Sequence, residues 1–178
     1  MMTYKATAVK QHNFTSKDKL FLDTNIWFYV FGPHRPGDPK AEIYSDVFNC
    51  ILNAQCQIYI DVLVVSEFIN AYARRKWRLI SPHLYPFKVF RNSSDFKPVA
   101  QDIAADVKHV LKHCIRIEST FATMGIEDLL NDYATGDFDF NDQVIIEICK
   151  NNGFTLITND SDFITQDIPI LTANSQLL

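Results

Sequence analysis

The sequence predicts an α/β domain built on a mostly parallel sheet, and three observations carry that reading. Short apolar runs alternate with stretches of helical spacing along the whole chain: KLFLD (19–23), QIYID (57–61), CIRIE (114–118), FTLIT (154–158) and IPILTA (168–173). The chain has 178 residues, 47% of them apolar and 21% charged, with 14 Phe, which suits one sizeable core and one domain. Acidic residues fall where these runs end: Asp23 closes the first, and Asp160 and Asp162 follow the fourth. In open parallel sheets that edge is where ligands bind.

Taken in order, residues 1–18 show no periodic pattern and read as a loosely docked N-terminal extension, so the domain proper is expected over 19–178. KLFLD is a strand, and Thr24 or Asn25 can cap the helix suggested by IWFYVF. GPHRPGDP (32–39) holds three prolines and two glycines and must be a loop. The helix after it places Ile43, Val47, Ile51 and Leu52 at helical spacing. QIYID is the second strand, and VLVVSEFINAYARRKW sets Val65, Phe68, Ile69 and Tyr72 on one helical face, with basic residues in its last turn. Residues 78–97 are rich in proline and aromatics, too long for a routine connection and too apolar for a linker, and are expected as a packed loop. A helix opening near Pro98, the third strand and a helix over 121–133 follow. The helix over 140–153 stops at Gly153, ahead of the fourth strand, the polar turn NDSDF and a short fifth strand.

The net charge of −4 hides an uneven distribution. Residues 70–116 carry ten Lys or Arg against three Asp, embedded in an otherwise acidic chain. The longest apolar run is about six residues, Ile26 to Phe31, far short of the ~18 that a membrane span needs. With no signal-peptide pattern at the N-terminus, the cytoplasm is the expected location and no membrane partner is expected. Cys50, Cys56, Cys114 and Cys149 lie far apart in apolar-patterned segments and are expected as buried thiols. His109 and His113 stand four apart with no carboxylate in a metalloprotease pattern. No glycine-rich phosphate loop or nucleophile elbow is present, which leaves ATP hydrolysis and serine esterase chemistry without support.

Singly, each acid has an ordinary explanation: Asp142 as a helix N-terminal acid, Asp23, Asp160 and Asp162 as turn residues. Glu67 is harder to dismiss, because VVSEFINAY places a charge among apolar neighbours, where an unpaired carboxylate is costly. Gathered at one sheet edge, these acids would repel by a few kcal/mol per pair at ~4 to 5 Å and an effective dielectric of about 20. No lysine or arginine lies within the motifs, so a divalent cation is the simplest counter-charge. All-oxygen donors point to Mg²⁺ or Mn²⁺, as one ion or two.

Four motifs in order resemble the PIN domain family over about residues 19–173. They are Leu22-Asp23-Thr24-Asn25 closing the first strand, Ser66-Glu67-Phe68 in the helix after the second, Asp142 within DFDFNDQVIIEICK, and Thr158-Asn159-Asp160-Ser161-Asp162-Phe163 after the fourth. The resemblance implies a Rossmann-like three-layer α/β/α fold with about five parallel strands in the order 3-2-1-4-5. It also implies a metal-dependent ribonuclease giving 5′-phosphate and 3′-hydroxyl products. Asp23, Glu67, Asp142 and Asp160 match the family's acidic quartet, Asp162 its frequent fifth member, Thr158 and Asn25 are polar supports, and Asp139 is a further candidate. Asp23, Glu67, Asp142 and Asp160 are then the expected metal ligands.

For the RNA substrate, Arg74, Arg75, Lys76 and Arg78 end the helix that carries Glu67 and are candidates to hold phosphates, with Tyr85, Phe87 or Phe90 available to stack bases. The chain is longer than the compact bacterial PIN toxins, so the sequence leaves open a toxin role with an antitoxin partner, and also homodimer formation. Two alternatives compete. A PIN-fold scaffold that binds RNA or protein without cutting has no need to keep clustered charge. A haloacid-dehalogenase-like phosphatase lacks its second aspartate, since Asn25 stands in that place.

Overall fold

The computed structural model describes residues 6–34, 36–80, 85–119, 121–164 and 167–178. Among them, six parallel strands form one sheet: β1 (Thr7–Ala8), β2 (Lys19–Leu22), β3 (Gln57–Ile60), β4 (Ile115–Arg116), β5 (Thr155–Ile157) and β6 (Ile170–Thr172). The order is β1-β6-β5-β2-β3-β4. The five expected strands thus take their expected order, and a sixth is added outside β6. β2, β5 and β6 are almost wholly buried, as strands covered on both faces must be, and their sequences run as continuous apolar stretches.

The helices are α1 (Thr24–Phe31), α2 (Pro39–Asn53), α3 (Val62–Ile80), α4 (Phe87–Arg91), α5 (Phe96–Lys112), α6 (Ile126–Ala134) and α7 (Phe140–Asn152). They flank the sheet in two groups: α1, α2, α3 and α5 pack on one another, and α6 packs on α7. Aromatic residues fill the first group. Trp27 and Phe31 of α1 meet Phe48 of α2, and His113 closes against both Phe31 and Phe48. α7 ends at Gly153, whose φ of 64° is the left-handed conformation that lets the chain turn back into β5.

Several expectations are corrected. Residues 7–9 are docked on the core: Thr7 and Ala8 pair with Leu171 and Thr172, and Val9 is buried. The spans 78–80, 87–91 and 96–97 are helical, the middle one forming α4, whose Phe90 is fully buried. Phe90 is therefore not free to stack a base. Of the four cysteines only Cys149 is buried, while Cys50 is exposed and Cys56 and Cys114 are intermediate. On α3 the buried face is Val64, Phe68, Tyr72 and Ala73, and Ile69 is 37% exposed, because α1 and α5 cover a different stripe from the one drawn through Ile69. Asp23, not Thr24 or Asn25, caps α1.

The consequence for function lies at the carboxyl edge of the sheet. β2 and β5 are neighbours, with Leu22 in register with Ile157. The residues leaving them, Asp23 and Thr158, therefore emerge side by side, and the Asp23 amide donates to the Ile157 carbonyl at 3.0 Å.

Candidate active site

Asp23 is held from three sides. It accepts from the Thr24 amide at 2.6 Å, from the Thr158 hydroxyl at 2.7 Å, and from the Asn25 side-chain amide. Thr158 is fully buried, and its hydroxyl is saturated: it donates to Asp23 and accepts from Asn25 Nδ2 at 3.2 Å and from the Asp160 amide at 3.0 Å. Asn25 also accepts from the Asn159 amide at 3.1 Å. One hydroxyl and one carboxamide thus bolt the start of α1 to the loop leaving β5.

Glu67 reaches the same place from α3, where its carboxylate accepts from the Thr24 hydroxyl at 2.9 Å. Asp160 caps the 3₁₀ turn Ser161–Phe163 by accepting from the Asp162 amide at 3.1 Å. Asp139 caps α7 by accepting from the Asn141 amide at 2.8 Å. Asp142 follows in the first turn of α7, half-buried. Its position in the cluster is registered electrostatically. Burial first, then the charges of Asp23, Asp139, Asp160 and Glu67, push its carboxyl up to about 8. Asp23 is likewise pushed up to about 7, mainly by burial and further by Glu67 and Asp160, against the lowering effect of its Thr158 and Thr24 hydrogen bonds.

Asp23, Glu67, Asp160 and Asp139 therefore all act on Asp142, and Glu67 and Asp160 also act on Asp23. Asp162 is different: its side chain is exposed, and it acts on the site through its backbone amide. The ion pairs among the described residues are His12–Asp18 and Lys76–Asp102, so no described basic side chain pairs with the cluster. The donor set, carboxylates with no nitrogen or sulfur, fits a hard divalent cation. Among the described residues no three acidic, His or Cys side chains converge tightly enough to hold an ion without moving. Mutual repulsion and the Thr24 hydroxyl, which holds Glu67, both act against convergence.

The basic residues of α3 divide. Lys76 turns away to Asp102 of α5 at 3.8 Å and lies over the Tyr72 ring. Arg74, Arg75 and Arg78 line a groove of about 820 Å³ that also includes Asn25, the residue that donates to Asp23. Arg74 additionally stacks on Phe87, 4.8 Å from the ring centre, and Phe87 packs on Trp77. Tyr85 gives its hydroxyl to Asp95 at 2.8 Å.

Sequence reasoning missed three supports. Thr24, taken only as a capping residue, orients Glu67. Tyr44 of α2 is buried, accepts from the Ala173 amide at 2.9 Å and donates to Asn159 Oδ1 at 3.1 Å, which fixes the loop that carries Asp160. Asn174 donates to the Asn159 carbonyl at 2.9 Å. A tyrosine at a core position of an amphipathic helix carries no signal of such a task, whereas a threonine following a strand-end aspartate could have been asked for a second partner.

The family profile described as PIN domain matches residues 20–168, most of the chain. The chain belongs to the PIN domain family. No curated protein matches it. Among solved structures, it is similar to the VapBC2 complex of Rickettsia felis bound to a DNA fragment from its promoter, with a TM-score of 0.56 and 16% identity over 86% of this chain and 98% of that one. That likeness is one of fold. No helix among the described residues is long and apolar enough to cross a membrane.

Proposed function

We propose that the protein is a metal-dependent endoribonuclease that hydrolyses phosphodiester bonds in RNA, with Asp23, Glu67, Asp142 and Asp160 as the ligands of Mg²⁺ or Mn²⁺. One observation carries the proposal: Asp23 and Asp142 are both driven toward neutral pKa values in a cluster with which no lysine, arginine or histidine among the described residues forms an ion pair. Clustered charge of that kind costs stability and is kept where it serves a site. A bound divalent ion supplies an activated water at neutral pH and stabilises charge on the phosphorus.

The chain's own residues do the positioning. Thr158 and Asn25 hold Asp23 in one orientation, and the Asp162 amide does the same for Asp160. Thr24 fixes the orientation of Glu67 through its hydroxyl. Asp139 adds negative charge at Asp142. Arg74, Arg75 and Arg78 attract the RNA backbone that the acids would otherwise repel. Lys76, engaged with Asp102, is left out of this role.

The fold shared with the Rickettsia felis VapBC2 complex leads us to propose further that the chain is the toxin half of a toxin–antitoxin pair. A small gene immediately upstream whose product co-purifies with the chain is the expected finding. The test of the main proposal is cleavage of total RNA with Mn²⁺ and with excess EDTA. Cleavage abolished by EDTA and restored by Mn²⁺ is expected, and cleavage undiminished in EDTA would overturn the metal assignment.

A further inference from the structure

The groove beside the acids has walls of opposite charge. Arg74, Arg75 and Arg78 of α3 form one wall, and Tyr29, His34 and Asp38 lie on the other. Among the described residues, none of these arginines forms an ion pair, and neither does Asp38, so both kinds of charge are left for a ligand. Something that is anionic on one side and rich in hydrogen-bond donors on the other would satisfy both. A single RNA strand has that character, with phosphates along one flank and base edges along the other, whereas a duplex presents phosphates on both flanks and buries its base edges.

Among the described residues, Asp38 and His34 give the second wall acceptors. Asp38 caps α2 through Oδ1, which accepts from the Lys40 amide at 2.9 Å, and its Oδ2 has no partner among the described residues. His34 Nδ1 lies 3.0 Å from the Gly32 carbonyl, and a carbonyl only accepts, so a proton is on Nδ1; the tautomer with that single proton leaves Nε2 as an acceptor. Tyr29 ties this wall to the loop that carries Asp160, since its ring stacks on Tyr44 at 5.4 Å and Tyr44 donates to Asn159 Oδ1 at 3.1 Å. Beyond burial, the Tyr29 hydroxyl is pushed up by Asp38 and Asp160 and pulled down by Arg75.

We propose that the groove holds one RNA strand with its phosphates on Arg75 and Arg78, and that Asp38 and His34 read a base next to the scissile phosphate and select guanine. Guanine presents adjacent N1–H and N2–H donors on its pairing edge. Uracil presents one N–H between two carbonyl oxygens, which a carboxylate repels. The inference rests on the ribonuclease reading and adds to it the determinants of strand and base choice.

The test is a cut-site map of a random single-stranded RNA pool with Mn²⁺, for the wild type and for Asp38→Asn. Asparagine caps a helix as well as aspartate does, so the substitution preserves the fold, while its amide offers a donor as well as an acceptor and reads either base. The wild type is expected to show guanine over uracil by about tenfold at one fixed offset from the cut, and Asp38→Asn to bring that ratio within about twofold. Competition by a duplex of the same sequence should be at least about tenfold weaker than by the single strand. Cuts without a base bias, the same bias in Asp38→Asn, or equal competition by the duplex overturn the inference and leave the ribonuclease reading standing; the groove then falls to a protein partner. No cuts under any metal overturn both.

Discussion

Asp142→Asn separates a metal site from a set of structural acids by the sign of a stability change. The Asp142 carboxyl is raised from an ordinary 3.8 to about 8 in the folded protein. Below 3.8 both folded and unfolded chains carry the proton, and the aspartate costs nothing. As the pH rises through that window the unfolded chain releases its proton first, so stability is lost progressively up to about pH 8. At about 1.4 kcal/mol per unit the unscreened loss is about 5 to 6 kcal/mol, but Asp142 is only half-buried, and solvent screening reduces this to about 2 kcal/mol. Asparagine avoids that loss and forfeits about 0.5 kcal/mol of interaction with the α7 dipole. The net gain of about 1.5 kcal/mol corresponds to a melting temperature about 3 to 6 °C higher for a chain of this length. Melts in EDTA should show this gain at pH 8 and its disappearance near pH 4. With Mn²⁺ the order should narrow or reverse, since the wild type binds the ion better and an ion at a hundred times its Kd stabilises by about 2.7 kcal/mol. RNA cleavage should fall in the same variant. A variant that melts lower than the wild type in EDTA at pH 8, responds equally to Mn²⁺ and still cleaves RNA would refute the reasoning.

Replacing Arg75 and Arg78 together with alanine should weaken RNA binding and reduce the slope of log K against log salt by about 1.4, as expected for two lost phosphate contacts on a single strand. Lys76→Ala should leave that slope unchanged in the same filter-binding series, because Lys76 is engaged with Asp102. Thr158→Val strips one hydroxyl from three partners and should cost about 2 to 3 kcal/mol in a urea melt together with most of the cleavage activity; a variant at wild-type stability would show that the Asp23 network is dispensable. Gly153→Ala meets no neighbouring atom and pays only for its left-handed backbone, so it should cost about 1 kcal/mol with cleavage retained.

The strands were legible from strong local rules, while their order came with the resemblance to the PIN family. Continuous apolar runs mark strands buried on two faces, and a helix-opening acid after such a run marks the carboxyl edge of the sheet. What escaped depended on contacts between distant segments. Thr7 and Ala8 become a strand only because β6 offers an unpaired edge, and nothing within residues 1–18 records that edge. Lys76 and Arg75 are adjacent in sequence and alike in charge, and only the helical rotation that sends one to Asp102 and the other to the groove gives them different tasks. Asp162, which looks like its neighbour Asp160 in the motif, turns its side chain to solvent because its amide is used to cap the turn. Tyr44 reads as core and is core, yet its hydroxyl spans 129 positions of sequence to reach Ala173.

The sheet ends on both sides in strands of two residues, β1 and β4, and both residues of β4 are exposed. A strand that short offers an incoming chain only one or two backbone hydrogen bonds before the ladder gives out, too little to offset the entropy of ordering it. The four-residue inner strands β2 and β3, rich in Leu, Ile and aromatics, would offer an incoming chain a longer apolar edge, and they lie inside the sheet, away from the rim. The protein should therefore tolerate high concentration while folded, and a substitution at Ile115 or Arg116 that lengthened β4 would be expected to show itself first as loss of solubility.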